Sequence, residues 1–525
     1  MKKLNKQFNL RSNLKKYFNY DHFREGQEEI IIDVLHGEDV LGVLKTGSGK
    51  SICYQLPAKI LPGLTIVVSP LISLMIDQVR QTKAFHFKEV VALHSMQNKS
   101  ERKNVLQTLH LYKLLYISPE LLQQREIIQR LKEREISLFV IDEAHCISEW
   151  GYDFRPDYLR IKSIIHTLGN PPILALTGTA TREVQQDIIK ELGRTEMNKH
   201  IYPIDRDNIS LVVEEIDGNE MNKQAFLINI LEKYKVPTII YFSSRRKAEE
   251  IALLLSHQLT NRKISYYHGG METMDRLKVQ QQFMNDQLDI ICCTSAFGMG
   301  INKKNIRLVI HYHLPTQIES FIQEIGRAGR DGKESVSLVL YQKRDIQLPL
   351  QIIENELPNH DEINFAMNQL YQLFIHQNEI PTNDNEIETF FQMKRTKWRF
   401  LHYQFETRGM IIHNKINFNL DDWNKSRKEI TEFCQKRLQI KRKKVYEMIQ
   451  WVNKEDCLRQ HLYASFEQTM QQKDEQCCSN CHFSFQQWLT EAQTEKEKIH
   501  HHSWQEKLAS LLLIGEHTNE TIRTH

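Results

Sequence analysis

At 525 residues the chain is too long for one ordinary core, and its length points to roughly three or four domains. Hydrophobic residues make up 41% and charged residues 26%, as in soluble globular proteins, and a net charge of +3 excludes a global field of the kind that marks a nucleic-acid binder. No apolar run is long enough to span a bilayer and no apolar segment follows the basic start MKKLNKQFNLRSNLKK, which points to the cytoplasm and away from export or a membrane.

The first informative stretch is Tyr20-Asp21-His22-Phe23-Arg24-Glu25-Gly26-Gln27. Gln27 offers a donor and an acceptor to an adenine edge, and Tyr20 or Arg24 can stack on its face. Residues 40–44 are a short apolar run suited to a buried parallel strand. They lead directly into Lys45-Thr46-Gly47-Ser48-Gly49-Lys50-Ser51, which opens a helical pattern. Glycines at 47 and 49 let successive N–H groups turn inward, so that an anion fits the nest at the helix N-terminus. Lys50 would reach the β- and γ-phosphates, and the Ser51 hydroxyl would take one position on Mg²⁺. The strict phosphate-loop pattern has glycine six positions before the lysine; this chain has Leu44. In isolation a Gly/Ser turn would look the same, and the rest of the chain decides between them.

Apolar runs at 40–44, 64–68, 114–117, 138–141 and 173–176 alternate with helix-like stretches, the mark of an α/β domain with a parallel sheet. Ligands of such sheets gather at the carboxyl ends of the strands. After 138–141 come Asp142-Glu143-Ala144-His145. Asp142 can hold Mg²⁺ there, and Glu143 can orient or deprotonate an attacking water. Ser69-Pro70-Leu71, Ser118-Pro119-Glu120 and Thr177-Gly178-Thr179-Ala180 end three other runs, with hydroxyls suited to a phosphodiester backbone or a γ-phosphate. Residues 146–158, CISEWGYDFRPDY, then place Trp150, Phe154 and Arg155 in a Gly/Pro-punctuated loop. Exposed aromatics with arginine stack on unpaired bases, while Tyr158 can fold back onto the sheet.

These residues in this order resemble the RecQ family of superfamily 2 DNA helicases. The aromatic loop directly after the acidic box is the most specific element, since RNA helicases with a DEAH box lack it. The resemblance implies two tandem RecA-like parallel-sheet lobes, ATP and Mg²⁺ as cofactors, and 3′→5′ translocation on single-stranded DNA in repair and recombination. It implies forked or overhanging DNA as partner, with single-strand-binding protein and recombination factors nearby in the nucleoid. The second half fits. Runs at 238–242, 290–293, 308–310 and 336–341 repeat the α/β pattern. Ala296-Phe297-Gly298-Met299-Gly300-Ile301-Asn302 and Gln323-Glu324-Ile325-Gly326-Arg327-Ala328-Gly329-Arg330 match the family's later motifs. Gln323, Arg327 and Arg330 would close on the nucleotide as catalytic residues, with Gly298 beside it. Thr46, Gly47, Ser48 and Gly49 would wrap its phosphates, and Ser69 would meet DNA.

Boundaries are expected at 1–205 and 206–343 for the lobes, 344–420 for a winged-helix-like module, 421–485 for a helical, zinc-binding-like module, and 486–525 for a helical tail. In the third, Lys394, Arg395, Lys397 and Arg399 can meet phosphates on one helix, or form a solvated face. A basic amphipathic helix is expected over 429–452. Cys53, Cys146, Cys292, Cys293 and Cys434 are scattered and read as small hydrophobes, whereas Cys457, Cys477, Cys478 and Cys481 cluster. Aligned on the family's zinc site, the expected last cysteine falls at Ser484. Cys457, Cys478 and Cys481 supply three zinc ligands, and His461, Cys477 or His482 is open for the fourth.

Overall fold

The computed structural model describes residues 9–148, 156–298, 303–412, 414–466 and 476–488, and divides the chain into two units, Met1–Phe483 and Ser484–His525. In the second unit the described residues form one helical turn, in which the Trp488 amide bonds the Ser484 carbonyl.

The first sheet has seven strands: β1 Val40–Val43, β2 Leu64–Val68, β3 Val90–Leu93, β4 Leu114–Ile117, β5 Ile136–Asp142, β6 Ile173–Thr177 and β7 Asn198–Ile201. Their spatial order is β3-β4-β2-β5-β6-β1-β7, parallel throughout. The inner strands are largely apolar and almost wholly buried because helices cover both faces. The second sheet has six: β8 Ile209–Glu215, β9 Thr238–Tyr241, β10 Ile264–Tyr267, β11 Ile290–Cys293, β12 Leu308–His311 and β13 Ser335–Tyr341. They run parallel in the order β10-β11-β9-β12-β13-β8. Two tandem parallel-sheet lobes are therefore present.

Beyond the second lobe, helices His360–Ile375, Asp384–Phe391 and Arg395–Thr407 end in an antiparallel hairpin, Ile411–Ile412 with Lys415–Ile416. They enclose their own core, in which Phe391 stacks on Trp398 with ring centroids 3.5 Å apart. A helix of 33 residues, Leu420–Val452, follows, about 50 Å long at 1.5 Å per residue. It starts nine residues before the expected 429, capped by the Asn419 side chain. Its first half packs in the small helical core and its last turns pack against the second lobe. The scattered cysteines are all buried. Among the described residues no helix is long and apolar enough to cross a membrane.

Candidate active site between the lobes

The phosphate loop leaves β1 and enters the helix Ile52–Ile60. Gly47 and Gly49 adopt φ of 88° and 77°, a region that residues with a Cβ avoid, and this curls the loop. The Ser48 hydroxyl is buried without a hydrogen-bond partner. The upstream segment grips the loop's carbonyls: Gln27 Nε2 donates to Ser48 O and Gly49 O at 2.8 and 3.0 Å, and Arg24 Nη1 to Gly47 O at 2.6 Å. Gln27 Oε1 accepts from Arg24 N at 2.9 Å, so the amide expected to face adenine is engaged with protein on both sides. Tyr20 is exposed, its ring 6.1 Å from that of Phe85.

Asp142 ends β5 beside the loop, and its Oδ1 accepts from Glu143 N at 3.1 Å. Burial, with Glu143 alongside, pushes the Asp142 carboxyl up to about 7 against the pull of Lys50. Burial would raise Glu143 too, but Lys50, His145 and Arg327 outweigh it and hold that carboxyl below its ordinary range. His145 ties the acidic box to β6 through Thr177 Oγ1, 3.0 Å away. Thr177 in turn accepts from Thr179 N, which sets the turn. That turn rests on the loop: a Cβ at Gly178 would lie 3.1 Å from both Lys50 Nζ and Thr46 Oγ1. Tyr158 folds back, fully buried, with its hydroxyl toward Asp142 O.

The second lobe completes the site. Arg327 is buried, donates to Gly298 O, and has its Nε unpartnered. Gly298 has φ 128°, and a Cβ there would overlap the Arg327 guanidinium. Arg330 lies across the loop, its Cγ 3.5 Å from where a Cβ on Gly47 would sit. Burial, then the neighbouring Arg327 and Arg206, press the Arg330 guanidinium down to about 9. Three cations crowded at one loop, an unpartnered Ser48 hydroxyl and a carboxylate pushed toward neutrality fit a polyphosphate with a divalent cation. Gln323 lines a cavity of about 560 Å³ between the lobes, with Pro70, Leu71, Tyr267 and Ser295.

Some expectations fall elsewhere. Ser69 is fully enclosed at the end of β2, so it presents no hydroxyl to a bound strand; the residues after it face the cavity instead. Lys397 turns inward to the Glu362 carboxylate at 2.7 Å, away from any surface phosphate. Trp150, Phe154 and Arg155, and 299–302 of the later loop, lie outside the described residues. The reading from sequence missed His145 as a brace, although the DEAH quartet contains it, and missed Arg206, which nothing local marks.

The Sγ atoms of Cys457, Cys477, Cys478 and Cys481 lie within 4.8 Å of one another. His461 instead approaches Asp456 at 3.7 Å, and Asn480 Nδ2 pins the loop by donating to Lys454 O and Asp456 O. Hydrogen bonding from Cys477 lowers the Cys478 thiol, while the same bond with burial raises Cys477, and burial raises Cys481. Four sulfurs at this spacing fit tetrahedral zinc.

Residues 24–188 match the family described as DEAD/DEAH box helicase, and residues 222–332 the helicase conserved C-terminal domain. The chain is 40% identical over 513 residues to the probable ATP-dependent DNA helicase RecS of Bacillus subtilis, a match covering 97% of this chain and 99% of that protein. It is 44% identical over 336 residues to the ATP-dependent DNA helicase RecQ of Haemophilus influenzae, covering 63% of this chain and 53% of that longer relative. The solved structure of DEAD-box helicase Mss116 bound to ssRNA and UDP-BeF shares the fold, with a TM-score of 0.58 and 17% identity over 88% of this chain and 91% of that one. With its two RecA-like lobes and that full-length likeness, the chain belongs to the RecQ family of superfamily 2, ATP-hydrolysing helicases.

Proposed function

We propose that this protein hydrolyses ATP to move 3′→5′ along single-stranded DNA and displaces the opposite strand of forked or overhanging duplexes in repair and recombination. One observation carries the reading: the arginine turn of the second lobe stands against the phosphate loop of the first, with Arg330 Cγ 3.5 Å from where a Cβ on Gly47 would sit. A phosphate loop and a phosphate-facing arginine thus share one cleft although they belong to separate lobes.

Loop N–H groups of 46–51 and Lys50 would bind the phosphates, and Tyr20, Arg24 and Gln27 the adenine, Gln27 exchanging its loop carbonyls for the base edge. Ser51 and Asp142 would hold Mg²⁺, which when bound neutralises charge across the phosphates. Glu143, held below its ordinary range by Lys50, His145 and Arg327, accepts the proton of the attacking water. Arg327 and Arg330 meet the charge that grows on the γ-phosphoryl oxygens, a role effective only with the lobes together. Gln323, in the cavity between them, would close on the nucleotide with Arg327 and Arg330. Trp150, Phe154 and Arg155 remain the residues expected to stack on DNA.

The four cysteines would hold a structural zinc, and the 344–420 helices with their hairpin would serve as the winged-helix-like module, within the lobe and module boundaries expected above. The family likeness supports action in the cytoplasm at the nucleoid, beside single-strand-binding protein and recombination factors.

The test is ATP-dependent displacement on a 3′-tailed duplex, its 5′-tailed mirror and an RNA version. Displacement of the 3′-tailed DNA alone is expected. Hydrolysis stimulated by DNA without displacement would instead indicate an ATP-gated clamp.

A further inference from the structure

Between β7 and β8 the chain crosses from one lobe to the other, and Arg206 stands in that crossover. Its guanidinium donates to Thr46 O of the phosphate loop at 3.3 Å. It donates also to Gly326 O, Ala328 O and Gly329 O, at 3.3, 3.2 and 2.6 Å, in the turn that carries Arg327 and Arg330. One side chain therefore holds the main chain of both walls of the cleft. Asn208 reinforces the second wall, donating to Gly329 O and Lys333 O at 2.9 and 2.8 Å. Because the acceptors are carbonyls of loops, the bonds fix how near the arginine turn stands to the phosphate loop.

The crossover is itself gripped from the cysteine end. Arg459, in the helix Leu458–Tyr463, is only 2% exposed. It bonds the Asp205 carboxylate, Arg206 O at 3.1 Å and Ile209 O, which brackets Arg206 on both sides. Its remaining Nε donates to Cys477 Sγ at 3.3 Å. The cysteine segment also lies along β8, where Leu211 N donates to Cys477 O at 3.1 Å and Ser210 Oγ to Gln476 O at 2.6 Å. A planar guanidinium presents its donors in a fixed fork, so a displaced Cys477 cannot keep its bond without turning Arg459 against Asp205 and Ile209.

We infer that Arg459 and Arg206 form a relay through which the cysteine cluster sets the closure of the nucleotide cleft. Both are positioning residues, since Arg459 acts through the crossover and Arg206 through the two loops. The relay rests on the reading of this cleft as the site of ATP hydrolysis.

Steady-state ATP hydrolysis by the full chain, with a single-stranded oligonucleotide as activator, tests it in Arg206→Ala, Arg459→Ala and the double variant. Each single variant is expected to lose about tenfold in kcat, the equivalent of one charge-assisted hydrogen bond, with KM for ATP within about twofold. Affinity for a fluorescent ADP analogue should stay near wild type, since the contacts of the first lobe remain. The double variant should be no slower than Arg206→Ala. Metal analysis should find the same zinc per chain in Arg459→Ala as in wild type. Should Arg459→Ala fail to fold, Arg459→Lys keeps the charge for Asp205 without the fork, and the same comparison is made with it. Multiplying losses in the double variant, a raised KM at unchanged kcat, or zinc lost with Arg459 would each overturn the relay. Absent hydrolysis in the wild-type chain would overturn the underlying reading of the cleft instead.

Discussion

Asp142 and Glu143 are adjacent in sequence and opposite in electrostatics. Burial and then the carboxylate beside it push Asp142, at the end of β5, up to about 7, while Glu143 is drawn down by Lys50, His145 and Arg327. A divalent cation on Asp142 must therefore displace a proton at acid pH. The sign follows: protonated Asp142 dominates below pH 7, and the cation binds more readily as pH rises through that value. The half-saturating Mg²⁺ concentration for hydrolysis is expected to fall about tenfold from pH 6 to pH 8 and then level off. Magnesium titrations across that range check it, and a flat profile would remove Asp142 from the metal's ligands. Lys50→Ala is expected to lower kcat by at least about 10²-fold, because Lys50 is the cation shared by loop, Asp142 and Glu143. Normal turnover in that variant would place the chemistry elsewhere.

At the scale of elements, the long helix Leu420–Val452 shows how charge in a sequence misleads. Its basic run invites a phosphate, yet Lys441 pairs with Glu356, Arg442 with Glu354 at 2.6 Å and Lys444 with Glu319 at 2.5 Å. These cations fasten the helix to the second lobe and to the segment that follows it. Substituting all three by alanine is expected to leave the salt dependence of DNA binding unchanged, whereas free phosphate contacts would reduce its slope by about 0.7–0.9 for each cation lost. A salt titration of oligonucleotide affinity decides between them. The strands divide along a similar line. The five runs of the first lobe and four of the second that were legible are all interior strands. Those that escaped, β3, β7, β8 and β10, are the four sheet edges. β7 shows the cause most plainly, since its sequence NKHI carries no apolar run at a solvent-facing edge, whereas β3, VVAL, stays apolar and mostly buried. The residue types proposed as catalytic were legible because phosphate chemistry demands them at fixed spacing. Arg206 was not, because its partners are backbone carbonyls and any sequence supplies those. The fourth candidate ligand stays open in sequence among His461, Cys477 and His482; in the fold Leu211 N of β8 donates to Cys477 O, and the Cys477 Sγ lies within 4.8 Å of the other three sulfurs.

At the scale of the whole molecule, the two lobes are joined through more than one contact beside the cleft. In one, Arg206 joins Thr46 to the arginine turn. In another, Gln280 of the helix Thr273–Met284 donates to Asp77 of the helix Ile72–Ala84 at 3.0 Å, next to the cavity that Gln280 lines. If translocation is a cycle of opening and closing, both cannot persist through a turnover. The Asp77–Gln280 contact is a single hydrogen bond, whereas beside the Arg206–Thr46 bond the chain itself crosses between the lobes, and partial burial already raises the Asp77 carboxyl. The Asp77–Gln280 contact is therefore the one expected to part. Cysteines placed at both positions, as Asp77→Cys with Gln280→Cys, can be joined by a short bis-maleimide. The joined protein is expected to lose at least about tenfold in DNA-stimulated hydrolysis, as gated enzymes do when their moving parts are held, while keeping its affinity for ADP. Each single variant, and the wild type treated with the same reagent, should remain active, since the native thiols are buried or clustered. Full hydrolysis in the joined protein would mean that the lobes work at a fixed distance, and that Arg327 reaches the γ-phosphate by moving only its side chain off Gly298.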